Sequence, residues 1–154
     1  MRVKSIKMED FGPYVSQEID FTELNEQRLF LLQGKTGSGK STIIEAIVFA
    51  LYGKDSKGRD LDTRRNTAPE NSRTGVTLVM EIEGRDYRIV RSPQQVKEGR
   101  KTPLPQSISM VELDGDGIEI AGRSWSAVPT VLLIANLSLF ILERTCQGGD
   151  YATV

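Results

Sequence analysis

The chain contains no histidine, and that one absence removes several chemistries together. Ser-His-Asp and Cys-His nucleophilic catalysis, histidine-ligated zinc and a histidine pH switch are all excluded. The single cysteine, Cys146, cannot form an intramolecular disulfide and fits a reducing compartment. Net charge is also lacking, because 20 Lys and Arg stand against 21 Asp and Glu for a formal charge of −1. Nucleic-acid binding driven by overall basicity is therefore excluded, and only a local patch could serve it. Long apolar runs are missing too. The greasiest stretch, Val131 to Leu142, is interrupted by Asn136 and Ser138, is too short to cross a bilayer, and reads as a buried helix. The N-terminus lacks the apolar core of a secretory signal, so no membrane role and a cytoplasmic location are expected.

The composition that remains, 27% charged and 38% hydrophobic over 154 residues, suits one globular domain spanning 1–154. Arg2 to Met8 has the extended pattern of a strand, Phe11-Gly12-Pro13-Tyr14 is a turn, and Val15 to Phe21 returns with Val15, Gln17, Ile19 and Phe21 on one face. Leu29 to Leu32 is the continuous apolar run of a strand buried on both faces. Ile43, Ile44, Ile47, Ala50 and Leu51 recur at helical spacing, with Gly53 as the C-cap. After a polar loop from Lys54 to Gly75, Val76, Leu78, Met80 and Ile82 alternate strictly, and Glu83-Gly84-Arg85-Asp86 turns the chain into Tyr87 to Val90. Ser92 to Ser107, with Pro93, Pro103 and Pro105, reads as a mobile excursion. Ile108 to Leu113 and Ile118 to Ile120 form a second hairpin, and Ser124 to Leu142 is expected to be mainly helical.

Gly34-Lys35-Thr36-Gly37-Ser38-Gly39-Lys40-Ser41 satisfies G-x-x-x-x-G-K-[ST] in full, between an expected buried strand and an amphipathic helix. Glycines let main-chain N–H groups converge on a polyphosphate, and the helix start aims its orphan N–H groups and positive dipole end at the same anion. Lys40 would neutralise the β- and γ-phosphates, Ser41 would ligate Mg²⁺, and Thr42 would meet the α-phosphate of ATP. The plainer alternative is a glycine-rich helix-entry turn that binds nothing. The carboxylates of Met80-Glu81-Ile82-Glu83 sit at polar positions of a hairpin and read as a solvated face. No apolar run ending in an acidic pair follows the motif, so a hydrolytic carboxylate is not found. Arg85 and Arg91, at even separation, could share a face that Arg88 does not, and with Lys97, Arg100 and Lys101 a DNA-backbone role is the alternative to the favoured reading of each as solvated surface, whereas Trp125 reads as a core anchor over a base-stacking platform.

The segments FGPY, IDF and LFLLQGKTGSGKSTIIEAIVFALYG resemble the N-terminal ATPase segment of the SbcC family, within the wider SMC and ABC-type ATPases. The similarity is strong over 1–53 and 76–93 and looser elsewhere. It implies an α/β P-loop NTPase fold, the N-terminal lobe of an ABC-type head, with a mixed sheet whose parallel core adjoins antiparallel hairpins. It further implies an ATP- and Mg²⁺-dependent head dimer completed by a C-terminal lobe, an SbcD-type nuclease partner, and DNA engaged through the assembled complex. In that resemblance Gln147 takes the place of a glutamine that contacts Mg²⁺ and the attacking water. If Tyr151 keeps the family register, Gly148 stands there instead. Arg64 aligns with a family arginine in the loop after the motif's helix, where a phosphate or base contact and an exposed loop arginine are both open readings. Some relatives carry a nucleotide-reaching arginine at Gly12-Pro13, which nothing here replaces. Little or no hydrolysis is expected from this chain alone. Two other readings stay open, a truncated or degenerate non-hydrolysing interaction lobe and a small P-loop kinase. The motif's place after two strands, and the two hairpins that follow it, weigh against the kinase.

Overall fold

The computed structural model describes residues 1–22, 33–54, 64–69, 72–95 and 102–126. Over these, the strands are β1 (Arg2–Phe11), β2 (Tyr14–Asp20), β3 (Gly75–Ile82), β4 (Arg85–Ser92), β5 (Ser107–Leu113) and β6 (Glu119–Trp125), with one helix, α1 (Lys40–Tyr52). They form a single six-stranded sheet in the order β2-β1-β3-β4-β5-β6. Every pairing in it is antiparallel. The strand expected at Leu29 to Leu32 lies outside the described residues, as does the part beyond residue 126 of the helix expected over Ser124 to Leu142, so among the described residues the mixed sheet appears only as its antiparallel part.

Period-two patterning decides which face of the sheet is covered. Val76, Leu78, Met80 and Ile82 on β3 are all buried, and Ile6 and Met8 on β1 and Ile89 on β4 join them against α1. From the helix, Phe49 lies fully inside the cluster and its ring meets Phe11 at a centroid distance of 5.7 Å. The β3–β4 hairpin closes through two residues, Glu83 and Gly84, both at positive φ, with Ile82 opposite Arg85. Positive φ at both central positions matches the right-handed strand twist.

The structure departs from the sequence-based expectation in several places. Ser124 and Trp125 belong to β6, not to a helix, because they pair with Val111 and Met110 of β5. Trp125 is 37% exposed at the sheet's edge, leaning on Tyr87 at 6.1 Å, and so is not the core anchor expected. On β2, Val15 is 62% exposed while Phe21, just past the strand, is buried, so the expected apolar face is used only toward its far end. The ends of the Ser92 to Ser107 excursion are tied together, since Gln95 and Leu104 exchange both main-chain hydrogen bonds, at 3.1 and 2.7 Å. Its basic residues Lys97, Arg100 and Lys101 lie outside the described residues.

Candidate functional site

Residues 33–38 are all exposed and lead into α1 at Lys40. Gly39 occupies the N-cap at φ 90°, a left-handed conformation that L side chains resist. Steric closeness adds a second reason for glycine, because a Cβ there would lie 2.7 Å from the Tyr14 hydroxyl and 2.9 Å from Pro13. No side chain caps this helix end, and its first turn carries no acidic residue. Apart from the Thr42 N–H, which bonds to the Gly39 carbonyl, the first-turn N–H groups and the positive end of the helix dipole face the exposed loop, where an external anion or water can meet them.

Lys40 folds back along the loop. Its ammonium donates to the carbonyls of Gly34 at 2.7 Å and Lys35 at 2.8 Å, with the Ser38 hydroxyl at 3.4 Å. The loop's own turn is fixed by the Ser38 N–H donating to the Lys35 carbonyl at 3.2 Å. Gly34, Lys35, Ser38 and Lys40 are therefore brought together around one cation. Thr36 and Gly37 form the exposed tip, and Ser41 is exposed on the first helical turn. Thr42 shares that turn, its N–H bonded to the Gly39 carbonyl at 2.9 Å.

The β1–β2 turn braces this start of the helix. Tyr14 donates its hydroxyl to the Gly39 carbonyl at 3.1 Å, and Gly12 is so close to Thr42 that a Cβ would fall 2.6 Å from its methyl. Arg64 reaches the same neighbourhood through its main chain, which bridges to Phe11. Its guanidinium, however, donates to the carbonyls of Ser72, at 3.3 Å, and Pro69, both in its own loop. Arg65 next to it donates to Asp10 at 3.0 Å and to Thr67 at 2.6 Å. The Ser72 hydroxyl beside Asp10, and then Arg65, hold that carboxyl below its usual value against the opposing effect of burial. Ser72 falls short of hydrogen-bond geometry, so the Arg65 contact is the better defined of the two. Gln147 lies outside the described residues.

Sequence reasoning missed Arg91. It is not solvated surface but 7% exposed, on the covered face of β4 in phase with Tyr87 and Ile89. Its guanidinium donates to the carbonyls of Ala50 at 2.9 Å and Leu51 at 3.1 Å, and to the Gln106 side chain at 3.3 Å. Gln106 in turn donates to the Gly53 carbonyl at 2.9 Å. Burial pushes the Arg91 pKa down from its ordinary value. The signal was present in the sequence, as a cation occupying an apolar phase position. Arg88 faces the opposite way, pairs with Glu119, and lines a groove of about 370 Å³ with Glu9 and Arg73 on the far side of the sheet. Arg85 is exposed at the hairpin turn. Among the described residues, no group of three or more acidic or cysteine side chains is placed to hold a metal ion, and no helix is long and apolar enough to cross a membrane.

The chain belongs to the AAA domain family, whose model matches residues 5–125 and so spans the six-stranded antiparallel sheet and the helix that springs from the glycine-rich loop. Within it, the chain is similar to the SbcC component of the nuclease SbcCD. It is 34% identical over 122 residues to that protein from Staphylococcus aureus strain MRSA252, covering 78% of this chain and 12% of the relative. The same figures hold for strains JH9 and Newman. The chain spans about 12% of the length of the curated relatives it matches. The family resemblance read from the FGPY, IDF and glycine-rich segments is thereby shown.

Proposed function

We propose that this chain is the ATP-binding lobe of an SbcC-type ATPase head of P-loop type, acting in DNA double-strand-break repair and regulating an SbcD-type nuclease. One observation carries the reading: an exposed glycine-rich loop, with Lys40 bonded only 2.7 and 2.8 Å from two of its carbonyls, opens onto an uncapped helix end. The fit to a triphosphate is chemical. Donors and positive charge converge there, and no first-turn carboxylate opposes an anion. With ATP–Mg²⁺ bound, Lys40 would exchange neutral carbonyls for β- and γ-phosphate oxygens, Ser41 would ligate Mg²⁺, and Thr42 and main-chain N–H groups of the loop would hold the remaining phosphate oxygens. Bound ATP–Mg²⁺ supplies the cleavable phosphoanhydride. Hydrolysis belongs to the complete head, with a C-terminal lobe and a second head contributing. Arg64 is assigned to the nucleotide's surroundings and Gln147 to Mg²⁺ and the attacking water. DNA is engaged through the assembled complex, in the cytoplasm.

Six antiparallel strands against the helix support this head over an all-parallel kinase. Mg-ATP binding measured on the full chain and on Lys40→Ala tests the reading. A charge-assisted contact of about 1.5–3 kcal/mol is removed, so affinity should fall by about 10-fold or more. Unchanged affinity overturns the assignment. Binding without hydrolysis after the complementary lobe is added would favour the non-hydrolysing lobe, and phosphoryl transfer to a small acceptor by the chain alone would favour the kinase.

A further inference from the structure

Arg91 is a buried cation whose three described acceptors are all neutral oxygens, two of them at the C-terminal end of α1. Apolar packing also holds the helix on the sheet, but it is non-directional. A planar guanidinium gripping consecutive carbonyls adds direction, because its fork fits one helix position relative to β4. Gln106, at the foot of β5, closes the same cluster by linking Arg91 to the Gly53 carbonyl. The space is fully used, since a Cβ on Gly53 would lie 2.5 Å from the guanidinium.

We propose that Arg91 is a positioning residue that joins the P-loop helix to β4 and β5 as one opening unit, so that nucleotide seated at the far end of α1 is registered in the sheet. This role rests on the nucleotide reading above and states where the binding energy is felt. A ligand protects every amide that opens only together with its site, and leaves unprotected a segment able to open by itself. The guanidinium is the link that makes the two open together.

Hydrogen exchange on the full chain, with and without Mg-ATP at about 100 times Kd, tests this, because that excess slows exchange about 100-fold in the unit containing the site. In the parent chain, α1 and β4–β5 should slow by the same factor. In Arg91→Met, α1 should keep its slowing while β4–β5 loses it, and Arg91→Lys, able to hold one carbonyl, should recover part. Should Arg91→Met not fold, Gln106→Leu reads the same link with the cation in place and should reduce the β4–β5 response. An undiminished response in that variant counts against the proposal. Faster β4–β5 exchange in Arg91→Met that still slows about 100-fold with Mg-ATP would make Arg91 a stabilising residue only, and overturn the proposal. Slowing of α1 alone in the parent chain overturns it too, and spares the nucleotide reading. No slowing anywhere, or slowing that stays at about 100-fold in Lys40→Ala at the same Mg-ATP concentration, is instead the failure of that reading, and the coupling role falls with it.

Discussion

The two ends of α1 are treated in opposite ways. At its C-terminus three of the last helix carbonyls have donors, Phe49 receiving the Gly53 N–H at 2.8 Å and Ala50 and Leu51 receiving Arg91, and the Gly53 carbonyl receives Gln106. Phe49, Ala50 and Leu51 are buried there. At the N-terminus there is no side-chain cap, no acidic first turn, and a loop exposed throughout 33–38. An unfinished end is tolerable where water reaches it, and it is useful where an anion can. The contrast places the side-chain contacts to the main chain at one end of the helix and leaves the other facing an exposed loop.

The largest expected way to break this contrast is Arg91→Met. It strips two helix carbonyls of their donor inside the core, and buried acceptors left unpaired cost about 1–3 kcal/mol each. A loss of about 2–4 kcal/mol in urea unfolding is expected, well above that of exposed Arg85→Met, which should stay within about 0.5 kcal/mol. A smaller change sharpens the contrast instead. Ser41→Asp places a carboxylate on the exposed first turn, where the helix dipole favours it by about 0.3–1 kcal/mol. Thermal unfolding should rise slightly while Mg-ATP binding is lost, and a variant that loses both or keeps both would contradict the division between the two ends. The smallest effect concerns acid. Because Asp10 has its folded pKa lowered, the Arg65 contact contributes in full above the ordinary carboxylate value of 3.8 and is lost as pH falls from there through the lowered one. Amides of 64–68 should lose protection over that acid range in the parent chain and show no such pH step in Asp10→Asn.

Much of this was legible because it depends on local rules. Val76, Leu78, Met80 and Ile82 announce a covered sheet face by alternation alone, and all four are buried. Gly34 to Ser41 announces its loop by residue type, with Gly53 ending the helix that follows. What was illegible depends on contacts between distant segments. Arg91 reads as surface until the end of α1, some 40 residues earlier in the chain, is known to lie against it. Ser124 and Trp125 look helical by their apolar spacing, and the ladder with β5 overrides that preference. Arg64 shows the same limit: that its guanidinium reaches the carbonyls of Pro69 and Ser72 is set by how its loop closes, which residue type alone does not show.

Lys40 rests with its ammonium tethered to the Gly34 and Lys35 carbonyls. On the triphosphate reading proposed above, a cation so moored would surrender one set of oxygens as it takes up another, a hand-over instead of a capture. Much of the orientational entropy that four free methylenes would forfeit at that moment has already been given up. On that reading the two carbonyls hold, at the ammonium, the place of the guest's oxygens.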